Sequence, residues 1–280
     1  MKIKAYAKIN LSLDVVGKRE DGYHLLRMIM QSIDLHDEII IEEIDRGIVI
    51  DSDKAYIPKD KRNLAYKAAE IFINKYNIKK GVKIFINKNI PVAAGMAGGS
   101  TDAAAVLKAM AEMFEVDTTE SQLMELGLQI GADIPFCIKG GTALCEGIGE
   151  VITPLKPFKD HIIVVVKPNF GLSTKEVYKS LDINKIHRHP KTDELIQAIE
   201  KNDLRFISNN LRNVMENVSF RKYNLLRNIK SKIVSIGALG SLMSGSGPTI
   251  FGIFDDEKKA QQCFEYFNNK YSQVYLSKTI

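Results

Sequence analysis

Tryptophan is absent from this sequence, and cysteine is scarce. The three cysteines (Cys137, Cys145, Cys263) form no Cys-x-x-Cys pair. That excludes a disulfide framework, gives no reason for a structural zinc, and points to a reducing cytoplasm. No long apolar run opens the chain, because Lys4, Lys8 and Asp14 interrupt it, so no secretory leader is expected. One uncharged stretch, Ser235 to Phe254, has the length of a membrane span. More than half of it is Gly, Ser, Thr or Pro, which reads as packed strand and turn in a soluble protein. Internal repeats and low-complexity tracts are missing too. Neither Gly-x-x-x-x-Gly-Lys-Ser/Thr nor Gly-x-Gly-x-x-Gly occurs, so the two commonest phosphate-loop patterns are excluded.

What is there suits a globular protein. The 280 residues are 45% hydrophobic and 26% charged, which excludes dominant disorder and gives room for two domains or one large one. Basic residues number 39 against 34 acidic, a formal net charge of +5. That mild excess is compatible with an anionic ligand. The basic residues are spread along the chain rather than gathered with aromatics on one face, which argues against a nucleic-acid-binding module.

From Lys2 to Val15 apolar and polar residues alternate without a break, predicting a long, half-buried strand with Tyr6, Lys8, Asn10 and Ser12 on one face. A charged, glycine-containing loop follows, then an apolar stretch at Leu25–Ile33 and a strand near Glu38–Glu43. Helices are expected over Asn63–Tyr76, from Ser100 or Thr101 to Phe114, and over Glu120–Ile130. A strand at Val82–Asn87 leads into Pro91. Two prolines around Pro154–Asp160 mark a boundary, giving domains 1–157 and 158–280. Beyond it come a buried strand at Ile162–Val166 and a short helix opened by Ser173 with Glu176. Helices over Asp193–Leu211 and Tyr223–Ile236 follow, then strands Leu239–Ser244 and Thr249–Phe254, a helix Glu257–Tyr271 and a strand at Val274–Leu276. That order is compatible with a split βαβ sandwich.

Four segments bear on chemistry. In Pro91-Val92-Ala93-Ala94-Gly95-Met96-Ala97-Gly98-Gly99-Ser100-Thr101 a loop of small residues runs from a strand into a helix start. Backbone N–H groups there close readily around an anion, helped by the helix dipole; a tight turn before a closely packed helix is the plainer reading. In Gly131-Ala-Asp133-Ile-Pro135-Phe136 an aspartate sits among small and apolar residues, as either a functional carboxylate or a helix cap. Met243 to Thr249 carries Gly245 and Gly247, fitting a hairpin turn or clearance beside a phosphate. Lys8, with Tyr6 and Asn10, is either a solvated lysine or part of a cleft wall. His187 and His189 lack a third partner for a metal and read as a solvated loop.

Together these segments, in this order, resemble the GHMP small-molecule kinases. Ala7-Lys8-Ile9-Asn10-Leu11, Arg19-Glu-Asp21-Gly22-Tyr23-His24-Leu25 and the Asp133 segment are similar to the branch that acts on a cytidine diphosphate-linked methylerythritol. Met96 and Thr101 are mild departures, where Leu and Ser are more frequent. Homoserine- or mevalonate-type members give no reason for Asp21 to His24.

The resemblance implies an α+β, two-domain fold: a ribosomal-protein-like α/β N-terminal domain and a ferredoxin-like split βαβ C-terminal domain. It implies a kinase using ATP with Mg2+, with Lys8 and Asp133 as the catalytic pair and Pro91 through Thr101 as the ATP phosphate loop. Asn10, Tyr23, His24 and Tyr178 would bind the substrate, the aromatic rings sandwiching the cytosine. Asn63 is a further candidate at the nucleotide base, and Ser100 at the magnesium; no metal-binding carboxylate is placed. A cytoplasmic monomer or homodimer, bound to neither membrane nor nucleic acid, completes the expectation.

Overall fold

Strand β1 (Lys2–Lys18) forms where the alternation places it, in a computed structural model that describes residues 1–280. Its two faces differ less than alternation predicts. From Ala7 to Val15 every residue is buried, so Lys8, Asn10, Ser12 and Asp14 are covered along with Ile9, Leu11 and Leu13. The half-buried pattern holds only at the start of the strand. The buried polar groups find partners: the Ser12 hydroxyl accepts the Ile29 N–H at 3.2 Å, and the Asp14 carboxylate accepts the Val15 N–H at 2.9 Å. The next two apolar segments are one continuous strand, β2 (His24–Ile44).

Both strands contribute to two compact units, each assembled from separate stretches of chain. The first unit comprises Met1–Ala7, Leu35–Ile90 and Ala97–Gly140. Here β3 (Ile48–Ser52) runs parallel to β4 (Gly81–Asn87), and β4 pairs antiparallel with β2 from Glu38 to Ile44. Helix α1 (Leu64–Tyr76) starts where expected, because the Asn63 side chain accepts the Ala65 N–H at 2.9 Å. Helix α2 (Gly98–Met113) starts earlier than Ser100. Ala97 adopts a left-handed backbone (φ 58°) and its carbonyl accepts the Thr101 N–H, so the two glycines belong to the first turn. Helix α3 (Glu120–Leu128) opens on a Thr119–Gln122 capping box, and α4 (Ile134–Lys139) follows. Ala65, Ala68, Ala69 and Phe72 of α1 pack with Ala103, Val106, Leu107 and Met110 of α2 over Ile39, Ile41, Ile84 and Ile86. The alanines let the two helices approach closely.

The second unit comprises Lys8–Asp34, Pro91–Met96 and Gly141–Ile280. β2 pairs there with β5 (Thr142–Gly147), and β5 with β6 (Val151–Pro154), both antiparallel. β7 (Ile162–Lys167) precedes α5 (Thr174–Lys179), α6 (Thr192–Glu200) and α7 (Leu204–Asn209). The single helix expected over Asp193–Leu211 is broken. Asn202 takes φ 54°, and the Asp203 side chain caps a new start by accepting the Phe206 N–H at 2.9 Å. β8 (Arg212–Asn213) pairs with β1 at Ser12 and Leu13. Then come α8 (Glu216–Lys222), α9 (Asn224–Ile236), β9 (Gly240–Met243), β10 (Ile250–Phe254), α10 (Glu257–Asn268) and β11 (Gln273–Lys278). The order β11-β7-β10-β9, antiparallel throughout, is that of a split βαβ sheet. The uncharged stretch Ser235–Phe254 is the end of α9 and the β9–β10 hairpin; no helix is long and apolar enough to cross a membrane.

Phe72 is fully buried at the centre of the first unit's core. Phe72→Ala is expected to cost about 3–5 kcal/mol, through lost transfer energy plus a residual cavity. Urea unfolding would show a lower midpoint with little change in slope. A loss below about 1 kcal/mol would contradict its place in that core.

Candidate active site

The glycine loop before α2 is shaped by backbone approaches that only glycine permits. At Gly95 (φ 74°) a Cβ would stand 2.2 Å from the Ser244 carbonyl oxygen. At Gly245 (φ 54°) a Cβ would stand 2.9 Å from the Gly95 carbonyl oxygen. The Ser244 hydroxyl donates to that same carbonyl at 2.9 Å. Residues Pro91–Met96 and the β9–β10 turn are thus in backbone contact, which neither reading of the Met243–Thr249 segment foresaw. Asn213 holds the turn, its amide donating to the Met243 and Gly245 carbonyls at 2.7 Å each. The Ser246 and Thr174 hydroxyls are hydrogen-bonded at 2.8 Å.

Lys8 is 4% exposed, and its ammonium donates to Asn10 Oδ1 at 2.9 Å. The Asn10 amide in turn meets Met28 Sδ at 3.4 Å. The Lys8 backbone N–H donates to the Met96 carbonyl at 3.3 Å, which ties β1 to the glycine loop. The solvated-lysine reading therefore fails, because β1 is covered on both faces at this point.

Past Met96 the chain enters α2. The first N–H groups of a helix have no intrahelical acceptor, and here they belong to Gly98, Gly99 and Ser100. Gly99 is exposed and Ser100 half-buried. Thr101 is different: it is buried, and its hydroxyl donates to the Tyr6 carbonyl at 2.6 Å, locking the first turn onto β1. Beneath that turn lies Lys88, whose ammonium ion-pairs with Asp37 and, at 2.6 Å, with Asp102. Nothing in the sequence singles out Lys88 or Asn213.

Asp133 occupies the N-cap position of α4, as the plainer reading proposed, yet its side chain makes no capping bond. It is half-buried, and its carboxylate has no hydrogen-bond or ion-pair partner in the chain. Asn63 does not point an unused amide anywhere: it donates to the Pro58 carbonyl at 2.9 Å and caps α1.

In the second unit the rings of His24 and Tyr178 lie 5.3 Å apart, tilted by 43°. Burial, and then the nearby Lys18, lower the His24 pKa, so its imidazole is neutral at physiological pH. Tyr23 is 60% exposed, on a turn where its N–H donates to Asp21 Oδ1 at 3.1 Å. His189 is not simply solvated, since its Nδ1 lies 2.8 Å from the buried Asp14 carboxylate. No three His, Cys, Asp or Glu side chains converge as a metal site.

Comparison with known proteins shows the family and the fold. Family models for the GHMP kinases N terminal domain and the GHMP kinases C terminal domain match residues 63–141 and 195–273. A 4-diphosphocytidyl-2-C-methyl-D-erythritol kinase of Clostridium botulinum (strain Hall) is 62% identical over 280 residues, all of both chains. One from Clostridium novyi is 61% identical over the same full length. The crystal structure of a 4-(cytidine 5'-diphospho)-2C-methyl-D-erythritol kinase superposes with a TM-score of 0.86 at 29% identity, covering 100% of this chain and 99% of that one. A homoserine kinase from Cytophaga hutchinsonii shares the fold, with a TM-score of 0.77 at 18% identity over 99% and 95% of the two chains. The expected architecture, a two-domain α+β GHMP kinase fold, is therefore the observed one. With glycine loops in backbone contact and full-length relatives of one kind, the chain belongs to the GHMP kinases and, within them, to the 4-diphosphocytidyl-2-C-methyl-D-erythritol kinases.

Proposed function

We propose that this chain transfers the γ-phosphoryl group of ATP to the 2-hydroxyl of 4-diphosphocytidyl-2-C-methyl-D-erythritol, a step in non-mevalonate isoprenoid precursor synthesis. Full-length identity of 62% to a kinase of that name supports the substrate. The observation that carries the chemistry is the partnerless carboxylate of Asp133. Phosphoryl transfer needs positioning and charge stabilisation rather than covalent help from the protein. Asp133 accepts the proton of the attacking hydroxyl. Lys8, oriented by Asn10, supplies the positive charge that stabilises the developing alkoxide. The N–H groups of Gly98, Gly99 and Ser100 receive phosphate oxygens, with Pro91 to Met96 shaping the approach and Thr101 fixing the turn.

Magnesium typically keeps several waters and is held largely by substrate phosphates, so a three-carboxylate cage is not required. The half-buried Ser100 hydroxyl, at the helix start beside the phosphate N–H groups, fits that mode and is the protein ligand proposed. The ion supplies neutralisation of phosphate charge. At the other end, Tyr23 stacks on the cytosine, and His24 with Tyr178 completes the aromatic wall. The neutral imidazole both donates and accepts, which suits a pyrimidine edge. The two family models lie one on each side of the expected boundary at 157, but the compact units are discontinuous, with residues 8–34, 91–96 and 141–157 folding with the C-terminal part.

Four measurements test this reading. Asp133→Asn is expected to lower kcat by about 10²–10⁴-fold with nucleotide affinity retained; near-normal turnover removes Asp133 as the base. At Gly99 a Cβ would meet only the Leu64 side chain, Cδ1 at 3.5 Å and Cγ at 3.9 Å, both ordinary contacts, so Gly99→Val should fold. Its side chain would stand over the phosphate N–H groups, raising KM for ATP roughly tenfold while leaving KM for the acceptor unchanged. An unaltered KM for ATP counts against the loop assignment. Tyr23→Ala should raise KM for the cytidylated acceptor about tenfold and spare ATP; equal shifts in both rule out stacking. Parallel assays with homoserine and mevalonate should give no turnover.

A further inference from the structure

Lys167 closes β7, and it is 7% exposed. The other buried ammoniums have partners: Lys8 donates to Asn10, and Lys88 pairs with Asp37 and Asp102. The Lys167 ammonium makes neither an ion pair nor a hydrogen bond within the chain, and burial lowers its pKa with no carboxylate to oppose it. A buried charge without a partner is costly, so its place in the sheet needs a reason.

The strand register sets a second unsatisfied group beside it. β7 pairs antiparallel with β11, which puts Gln273 opposite Lys167, and with β10, which puts Ile250 opposite Val166. One residue further along that register, Thr249 stands beside Lys167. The Thr249 carbonyl accepts the Ser244 N–H at 2.9 Å, so the ladder carries on towards β9. Residues opposite one another across a ladder share a face. Gln273, Lys167, Thr249 and Ser244 therefore form one polar row. The next row on that face is Tyr275, Val165, Phe251 and Leu242, the last three fully buried. An apolar sheet face thus ends in polar side chains. Ser244 spends its hydroxyl on the Gly95 carbonyl, whereas Thr249 is 0% exposed and its hydroxyl has no partner. An ammonium and a hydroxyl, adjacent and both unmatched, are the donor set of an anion site.

The surroundings select the anion. The row meets the glycine loop at Ser244. From Lys167 the chain runs into α5, which carries Tyr178, and the Thr174 hydroxyl at the start of that helix is bonded to Ser246 of the β9–β10 turn. The acceptor's base has an aromatic wall, but its diphosphate has no buried cation there; Lys18, near His24, is exposed. The phosphates of ATP already have the N–H groups of Gly98, Gly99 and Ser100.

We propose that Lys167 and Thr249 form a phosphate subsite that takes the diphosphate of the cytidylated acceptor. The proposal rests on the reading of Tyr23, His24 and Tyr178 as the cytosine wall. Lys167 supplies charge and Thr249 a hydroxyl donor. The free protein bears the desolvation of the ammonium, and the bound diphosphate offsets it.

Cytidine and CDP, used as competitive inhibitors against the acceptor, isolate the diphosphate. Lys167→Met keeps the length of the side chain without its charge, and Thr249→Val keeps the shape without the hydroxyl. Neither leaves a buried group unpaired, so both should fold, and ligand-free Lys167→Met should melt no lower than wild type. Lys167→Met is expected to weaken CDP about tenfold and to leave cytidine unchanged. Thr249→Val should weaken CDP about threefold. KM for the acceptor should follow CDP, and KM for ATP should stay constant. An unaltered CDP-to-cytidine ratio overturns the proposal. So does a raised KM for ATP with the acceptor spared, which gives the anion to the other nucleotide. A ligand-free melting temperature well below wild type makes Lys167 a structural residue and overturns it too. Nitrogen-15 NMR of lysine-labelled wild-type enzyme is a second measurement, with the Lys167 Nζ signal identified by its loss in Lys167→Met. CDP should move that signal and cytidine should not; equal responses overturn the proposal. Tyr23→Ala keeps the two readings apart. If it weakens cytidine and CDP alike while Lys167→Met changes neither, the subsite falls and the cytosine wall stands. If it spares both while Lys167→Met weakens CDP alone, the wall falls and the subsite stands.

Discussion

Two stretches of bare backbone pressed against each other govern the rest of this site. The carbonyls of Gly95 and Ser244 lie where any side chain at 95 or 245 would collide with them. Buried carbonyls need donors, and the chain supplies them: Ser244 bonds to Gly95, and Asn213 bonds to Met243 and Gly245. The loop before α2 is thereby held in a shape with three positive φ angles, at Ala93, Gly95 and Ala97, before any ligand arrives. A site made in advance loses less freedom on binding. That is the economy a phosphoryl-transfer enzyme needs, because its catalysis is chiefly placement.

The same logic recurs at the start of α2. Thr101 fastens the turn to β1, Asp37 fastens the approach to Pro91, and Lys88 joins the two. Each fastening uses a polar side chain buried for the purpose. Side chains and backbone divide the work: glycines open the space, and buried polar residues keep it from collapsing.

Much of this was legible in the sequence. Alternation located β1, the helical spacing of Leu64, Ala68, Ile71 and Phe72 located α1, and the split βαβ order followed from the spacing of the last strands and helices. The glycine loop announced itself by composition alone. Exposure was less legible. Lys8, Asn10 and Ser12 alternate with apolar residues as surface residues do, but tertiary packing covers both faces of the strand. The break at Asn202 is invisible to periodicity because the apolar pattern continues across it, and the short strands β3, β5 and β6 owe their form to their partners. Lys88 stayed hidden for a related reason. Its meaning depends on Asp37, 51 residues earlier, and Asp102, 14 residues later, and neither separation carries a local signal.

The discontinuous make-up of the two units limits how such a chain changes over time. Residues 8–34 and 91–96 fold with the part that runs from Gly141 to the last residue. A crossover at the middle of the chain, near Gly140, would leave the first unit whole but would take residues 8–34 and 91–96 of the second unit from a different parent than the rest of it. The two long strands would travel together with the first half, and the second unit would have to be rebuilt from parts that had not been paired before.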